Sequence, residues 1–552
     1  MKALMRALAA LGLMLSALAF AQPAPAAAQA GQRIVLAQGG TFTLTFFRPS
    51  DISCSGDLWL QLPTQQKLVS DYRYGTPAPV NLGPYPAGTE LLFFIQPDGF
   101  CATDGSGSPF AYRYYSDGTS NDPDPGYQSH ARLNPLAAID SYRVDFEDLP
   151  TWYDGGKGPD FDFNDLSIIL RKDGAHPDYR QDAPDWNGDS YDSTGGTIGE
   201  WGSALTSAAN VANFHGAVVD PLSLNQCLMQ NNIAGYARPA DDPSNCPGAN
   251  CAAGAVRWTR IEACLNPANS GESPLLMRFR GKFSLGQTTR DEKTGLRATI
   301  TPATLRAMLD ADLGKGWPVI LEVRAPNNPD GVHYVMADRK SGSSYSIVDP
   351  YCGSWPTCSS ARTTLADYGD ELLSIVRFSP GDGRAHTSLV VNAFQPLVDF
   401  YVRDPLGRQL GYSRSALMSY VEIPDGGYYF QPPLASPRSG VTLGAGMNEL
   451  YIIDPLEGEY QLVVSGADGQ AYNIVFQYHD NVQAPGQDES TTPNTQSQVI
   501  SGSVSNPNGT RVEVEVTPEQ PPVISAPPVV RNRFLPFITE ALRFYAQPPK
   551  RK

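Results

Sequence analysis

The sequence predicts a multidomain protein in which an all-β sandwich is followed by an α+β domain and then by a second all-β sandwich. A chain of 552 residues exceeds what one hydrophobic core supports, so we expect three or four domains. Residues 31–175 contain short alternating or aromatic-rich runs between Gly, Pro and Asp turns, at the spacing of a sandwich. Residues 176–380 place helical patterns before a series of strands, and residues 385–517 return to alternating strands.

The first 30 residues have the pattern of a secretory signal peptide. Lys2 and Arg6 precede an apolar run, and small-residue cleavage sites end at Ala21 and Ala30. The apolar run is short for a bilayer, and no other stretch approaches a membrane span. We therefore expect a secreted or cell-surface protein with no membrane span in the mature chain.

The chain is acidic, with a formal net charge of −16, and this charge disfavours negatively charged binding partners. Such acidity argues against nucleic acid and against anionic membrane surfaces. The alternative interpretation is that the acidity only keeps the protein soluble outside the cell.

Eight cysteines, an even number in a secreted chain, predict disulfides. Proximity favours Cys54–Cys101, Cys246–Cys251 and Cys352–Cys358, which leaves Cys227–Cys264, but spacing alone does not determine the connectivity. A zinc site among the four cysteines of 227–264 is the alternative, although no His lies at ligand spacing there.

An acidic stretch near the end of the first sandwich is a candidate calcium site, formed by Asp160, Asp162, Asn164 and Asp165. Alternation with two phenylalanines puts the oxygens on one face of an extended chain, and Ca²⁺ prefers such oxygen ligands. The spacing is not that of an EF-hand. A solvated acidic turn, whose side chains accept backbone N–H bonds, is the alternative. Residues 145–166 resemble a signature of a β-sandwich domain found on bacterial surface proteins.

The segment that carries the most chemistry is a Gly-rich loop that ends in Gly202-Ser203. Leu205, Ala208 and Ala212 follow at helical spacing, which predicts a buried helix that begins at Ser203. The unpaired N–H groups and the dipole at a helix N-terminus favour negative charge. Asp220-Pro221 and Thr301-Pro302 predict the starts of two further helices.

The segment Gln181–Phe214 resembles the nucleophile segment of bacterial papain-fold cysteine peptidases of the bacteriocin-processing type. Five further motifs of that family follow in order, so that the resemblance covers about residues 180–380. These motifs are Asp220–Asn225, Gly316–Leu321, Val332–Ala337, Ile347–Pro350 and Thr364–Tyr368.

The resemblance implies a papain-like fold and assigns roles to four residues. The nucleophilic Cys of the family falls on Ser203, the catalytic His on His333, its partner on Asp349 and the oxyanion-binding amide on Gln181. His333 follows Ser203 by 130 residues, a spacing typical of papains. The domain would need no cofactor.

The serine at position 203 changes the expected activity. A hydroxyl has a far higher pKa than a thiol, so the ion pair with His333 cannot form in advance and attack needs serine-hydrolase geometry. We therefore expect a peptidase-like domain that binds peptide or cell-envelope material without cutting it. The alternatives are an active peptidase or amidase that uses Ser203, His333 and Asp349, a different nucleophile such as Cys227, and an envelope spacer.

The C-terminal part is predicted to be an accessory sandwich with an internal linker at 483–500, which is rich in Ser, Thr, Gln and Asn. Residues 518–552 form a Pro-rich and then basic tail, which is either a surface-attachment segment or a disordered end. The oligomeric state cannot be predicted from the sequence.

Overall fold

The structure, a computed structural model, is mostly β, with 50% strand and 14% helix. It describes residues 33–47, 56–72, 78–97, 113–117, 130–147, 166–192, 196–230, 233–237, 254–265, 277–290, 297–326, 328–353, 362–381, 386–393, 398–414, 416–431, 434–435, 442–443, 447–480, 494–504, 510–517 and 520–525.

The described residues of the N-terminal part form ten strands. They are β1 Ile34–Val35, β2 Gly40–Phe47, β3 Gly56–Leu62, β4 Gln66–Val69, β5 Val80–Tyr85, β6 Glu90–Pro97, β7 Tyr114–Tyr115, β8 Ala131–Pro135, β9 Tyr142–Phe146 and β10 Leu166–Lys172. They form two antiparallel sheets, one in the order β1-β6-β3-β4 with β7 on β6, and one in the order β5-β2-β10-β9-β8. Alternate residues of both sheets, such as Leu44 and Leu58, enter one apolar cluster, so the sheets pack face to face.

The central part holds the helices of the described chain. These are α1 Ile198–Trp201, α2 Ser203–Phe214, α3 Pro221–Leu228 and α4 Pro302–Leu313, with short 3₁₀ helices at Trp258–Arg260, Glu262–Cys264 and Leu365–Tyr368. Its strands are β11 Ser190–Tyr191, β12 Gly196–Thr197, β13 Tyr236–Ala237, β14 Ala255–Val256, β15 Met277–Ser284, β16 Thr288–Arg290, β17 Arg297–Thr299, β18 Val319–Ala325, β19 Asn328–Ser341, β20 Ser344–Val348 and β21 Ser374–Pro380.

The C-terminal part is again built from strands. They are β22 Ser388–Ala393, β23 Asp399–Arg403, β24 Gln409–Ser413, β25 Met418–Val421, β26 Gly426–Gln431, β27 Leu434–Ala435, β28 Thr442–Leu443, β29 Met447–Ile453, β30 Gly458–Ser465, β31 Ala471–Asp480, β32 Asn494–Ser503, β33 Thr510–Thr517 and β34 Gln520–Ser525. Two sheets, β26-β29-β22-β31-β32 and β25-β24-β23-β30-β33-β34, enclose a second apolar cluster.

Both predicted helix starts are confirmed, and each has a cap. The Asp220 carboxylate accepts the N–H of Ser223 in a reciprocal capping box, with Pro221 in the first turn. The Thr301 hydroxyl accepts the N–H of Thr304 at the start of α4. These caps satisfy backbone donors that a helix start would otherwise leave unpaired.

The predicted linker at 483–500 is wrong in its second half. Residues from Asn494 onward form β32, which pairs with β31 along its whole length. β32 lies at the edge of its sheet, where a strand tolerates polar side chains because one side is open to water. The polar composition of this segment therefore led to the prediction of a linker where the chain forms β32.

The central sheet has strands from two parts of the chain. Its order is β15-β21-β18-β19-β27-β28, with β20 on β19, and Val332 of β19 pairs in parallel with Leu434 of β27. The apolar cluster around α2 also includes Tyr429 and Tyr451 from the C-terminal strands and Ile169 from the N-terminal sheets. The C-terminal strands thus share a core with the central sheet.

Two helices cover opposite faces of this sheet. α2 packs in the cluster that contains Tyr334 and Met336 of β19. α4 packs in a different cluster, with Val335 and Ala337. Successive residues of a strand point to opposite faces, so the two helices lie on either side of β19.

A buried network of charges joins the central and C-terminal strands. The Lys282 ammonium lies 2.5 Å from Glu322 Oε2 and donates to Gln431 Oε1 at 2.6 Å. Tyr334 donates to Glu322 at 3.1 Å and accepts from Gln431 at 2.7 Å. Lys282 has no exposed side-chain surface. Such hydrogen bonds to both charged groups offset the cost of removing the ion pair from water.

The Cys227–Cys264 disulfide is present, with an S–S distance of 2.10 Å, and these two thiols are therefore not zinc ligands. Cys352 is also disulfide-bonded. The remaining cysteines, the predicted signal peptide and the basic tail after residue 525 lie outside the described residues. Among the described helices, none is long and apolar enough to cross a membrane.

Replacement of Lys282 by Met should reduce the free energy of unfolding by about 3–5 kcal/mol, because it leaves the Glu322 charge buried and unpaired. Urea unfolding measures the loss. The matched control is Lys340→Met, which removes an exposed ammonium that pairs with Asp310 and should change stability little. Equal effects of the two substitutions would contradict the assignment of Lys282 to a buried network.

Candidate functional site

Ser203 begins α2, as the sequence predicts, and the preceding glycines allow the chain to pack closely there. A Cβ on Gly202 would lie 2.5 Å from the Ile198 carbonyl oxygen, and a Cβ on Gly196 would lie 2.3 Å from the Trp201 ring. Every residue of α2 is buried, and Ser203 is 4% exposed. The residue predicted to be the nucleophile is therefore largely buried.

Polar side chains of α2 fix the helix against its surroundings. Ser207 Oγ donates to the Tyr334 carbonyl at 3.2 Å, and the Asn210 amide bonds both the N–H and the carbonyl of Tyr179. Ser207 follows Ser203 by one turn, so the two lie on the same side of the helix. The start of α2 is therefore held beside the part of β19 that carries His333.

His333 and Asp349 form a buried pair. His333 Nε2 lies 2.8 Å from Asp349 Oδ1, and neither side chain has exposed surface. The same carboxylate accepts the Tyr351 N–H at 3.0 Å and the Tyr368 hydroxyl at 2.7 Å. The Arg362 guanidinium lies 3.9 Å away.

The pKa of Asp349 is lower than that of an ordinary aspartate. Burial alone raises it, but the charge of His333, together with hydrogen bonds from His333, Tyr368 and the Tyr351 amide, outweighs burial. Burial and the adjacent carboxylate in turn raise the pKa of the Tyr368 hydroxyl, which stays protonated and donates.

Gln181 is fully buried and lies next to the end of β20. Its N–H donates to the Pro350 carbonyl at 2.7 Å, and its Nε2 donates to the Gly199 carbonyl at 3.0 Å. Gln181 therefore bridges α1 and the residue that follows Asp349. One N–H of the side-chain amide is therefore used in a hydrogen bond within the protein.

The structure brings His333 and Asp349 together but does not complete the predicted set. His333 Nδ1 is buried and has no hydrogen-bond partner among the described residues, so Ser203 Oγ does not bond to it. His333 is two residues before Val335, so by alternation both point to the same face of β19. Val335 packs with α4, whereas α2 packs against the opposite face. Ser203 Oγ and His333 Nδ1 are thus not joined by a hydrogen bond, although both lie near the start of α2.

Two further residues contribute to this site that the sequence does not predict. Tyr368 ends the last of the family motifs, and its hydroxyl is a direct partner of Asp349. Arg180 precedes Gln181, and its guanidinium donates to the Asp349 carbonyl oxygen. The tyrosine could have been identified from its motif, but no sequence pattern indicated the arginine.

The candidate calcium ligands Asp160, Asp162, Asn164 and Asp165 lie outside the described residues. Within the ranges that are described, no group of His, Cys, Asp and Glu side chains is arranged to hold a metal ion. The calcium interpretation therefore stays a prediction.

Comparison with known proteins adds no assignment. The chain matches no protein-family model, no curated protein and no solved structure.

Replacement of Tyr368 by Phe should reduce the free energy of unfolding by about 1.5–3 kcal/mol at neutral pH, because a buried carboxylate loses a donor. Asp349 has a lowered pKa, so its stabilising effect is complete above the pKa of an unfolded aspartate, about 3.9, and is lost as the pH falls. The difference between wild type and variant should therefore shrink below about pH 4 in urea unfolding.

The matched control is Tyr345→Phe, which removes a 3.0 Å hydrogen bond to the partly exposed carboxylate of Asp310. Its loss should be smaller than that of Tyr368→Phe. A Tyr368→Phe loss that does not change with pH would exclude the proposed interaction with charged Asp349.

Proposed function

We propose that the chain is a secreted or cell-surface bacterial protein whose central, papain-like domain binds peptide or cell-envelope material without cleaving it. In this proposal the domain lies between two β-sandwich modules, at 31–175 and 385–517. The motif order between residues 180 and 380, the helix that begins at Ser203 and the His333–Asp349 pair support it.

The observation that carries the proposal is the buried Nδ1 of His333, which has no partner within the described residues. A serine nucleophile needs a base within about 2.6–3.2 Å of its hydroxyl, because the base removes the proton during attack. Ser203 Oγ has no such bond with His333 in the part of the chain that the structure describes, and His333 has no exposed surface that a substrate could contact. Together these features support a domain that keeps the peptidase framework without its reaction.

Hydroxyl chemistry supports the same conclusion. In a papain-type site the helix N-terminus and the His hold a Cys as thiolate before the substrate arrives. A serine hydroxyl at position 203 gains little from that arrangement, since its pKa lies far above that of a thiol.

An active peptidase or amidase that uses Ser203, His333 and Asp349 is the second candidate. One feature favours it: Asp349 engages Nε2 of His333, which leaves Nδ1 for a nucleophile. Catalytic hydrogen bonds can also be long in the absence of substrate. Gln181 would then contribute its remaining amide N–H to the oxyanion.

The other parts of the proposal concern ions and partners. Structural Ca²⁺ would bind at Asp160, Asp162, Asn164 and Asp165, where carboxylate and amide oxygens are suitable ligands. The peptidase-like domain would use no cofactor. Neither nucleic acid nor the membrane interior would be a partner of the acidic mature chain.

Incubation of the wild type with a fluorophosphonate probe should leave the intact mass unchanged, because Ser203 lacks a positioned base. The control is Ser203→Ala, which should behave identically in the mass measurement. Cosedimentation of the two proteins with purified cell-wall peptidoglycan should also be equal, because binding does not use the hydroxyl. A probe adduct on Ser203 of the wild type would establish a serine hydrolase and overturn the proposal.

A further inference from the structure

A cavity of about 490 Å³ lies where the central sheet meets the C-terminal strands. β18 and the turn after β15 form one wall, and β24, β25 and β26 form the other. The volume falls within the range of about 300–1,000 Å³ that small-molecule sites occupy. Ser203, His333 and Asp349 do not line it, so it is separate from the candidate peptidase-like site.

A buried carboxylate forms part of the inner wall of this cavity. Glu322 is 4% exposed, and its Oε2 is held by Lys282, by the Ser374 hydroxyl at 2.6 Å and by Tyr334. Its other oxygen, Oε1, accepts no hydrogen bond within the described residues. That oxygen is not fully shielded from solvent. Because Glu322 lines the cavity, Oε1 is the oxygen that faces it. The wall therefore presents a rigid hydrogen-bond acceptor.

Aromatic residues contribute much of the opposite wall. Tyr412, Tyr428, Tyr429 and Phe430 all line the cavity. The Tyr428 ring packs edge-on against Phe400, with centroids 5.4 Å apart, and the Tyr429 hydroxyl donates to Glu449. These contacts fix two rings. The Tyr412 hydroxyl makes no hydrogen bond within the described chain, and Phe430 is 46% exposed.

The charges around the cavity are already balanced. Lys282 neutralises Glu322, and Arg324 donates to both carboxylate oxygens of Glu371, at 3.0 and 3.1 Å. A cationic ligand on Glu322 would place a second positive charge beside Lys282 without a counter-charge, which is costly in a site shielded from water. The cavity therefore favours a neutral ligand.

Polar groups of the cavity are available for hydrogen bonds to a ligand. Gln287 Oε1 accepts the Ser284 N–H at 2.9 Å, so the side chain is oriented and its Nε2 donates to no described residue. The groups that the cavity offers to a ligand thus include an acceptor on Glu322, a donor on Gln287 and the Tyr412 hydroxyl. The hydroxyls of a sugar can donate to the carboxylate and also accept from the amide, so a sugar can satisfy these groups.

We propose that this cavity is a binding site for a neutral saccharide. Sugar hydroxyls donate to Glu322 Oε1 and accept from Gln287, while the apolar C–H face of the ring packs on the tyrosine and phenylalanine rings. The site uses none of the candidate peptidase residues, so this inference does not depend on whether Ser203 is active.

Isothermal titration of the secreted full chain with cellobiose, maltose and the disaccharide of N-acetylglucosamine tests the proposal. At least one should bind saturably, with a Kd below about 10 mM. Tyr412→Ala and Phe430→Ala should each weaken that binding about tenfold, because each removes part of the stacking surface. Leu406→Ala is the control, since Leu406 is 69% exposed and does not line the cavity.

Glu322→Gln provides a second test, because it keeps the shape of the side chain but weakens the acceptor. The substitution should reduce saccharide affinity. Circular dichroism checks that the variant is folded, and if it is not, the result for Tyr412→Ala decides the test. The proposal is overturned if none of the three disaccharides binds at about 10 mM, or if binding is unaffected by both aromatic substitutions. Binding of a neutral tetrapeptide in place of the sugars, with loss in Tyr412→Ala, would also overturn it.

Discussion

The alternation of side chains along β19 is the constraint on which both sites of this protein depend. The imidazole of His333 meets Asp349 on one side of the strand. Tyr334, the next residue, points to the layer that contains α2 and contacts Glu322 and Gln431. A shift of one residue in register would exchange the two environments and bury both polar groups without partners. The strand therefore connects the candidate peptidase-like site to the charge network.

The charge network explains how the C-terminal strands contribute to more than their own two sheets. Lys282 and Glu322 come from the central sheet, whereas Gln431 comes from β26. Burial of such a pair is expensive, and only the complete set of hydrogen bonds offsets that cost. Because each side supplies partners for the other, the two parts have a defined relative position, and the cavity at their junction has fixed walls.

The sequence predicted local features well and long-range features poorly. Alternating strands and the helix starts at Asp220 and Thr301 follow from short patterns, and the motifs placed His333 and Asp349 in one site. No local pattern indicated that β27 joins the central sheet, since its pairing partner lies far away in the chain. Contacts such as Lys282 with Gln431, and the missing bond between Ser203 and His333, depend on tertiary packing that periodicity does not encode.

The most direct test of the central claim, that Ser203 is not activated by His333, is the rate of iodoacetamide alkylation of the Ser203→Cys variant. The account predicts that the introduced thiol reacts more slowly in the folded protein than in urea, since position 203 is buried. It also predicts that a further His333→Ala substitution leaves this rate unchanged. Alkylation at about pH 6 that is faster than in urea, and that is lost with His333→Ala, would show an assembled thiolate–imidazolium pair and contradict the account.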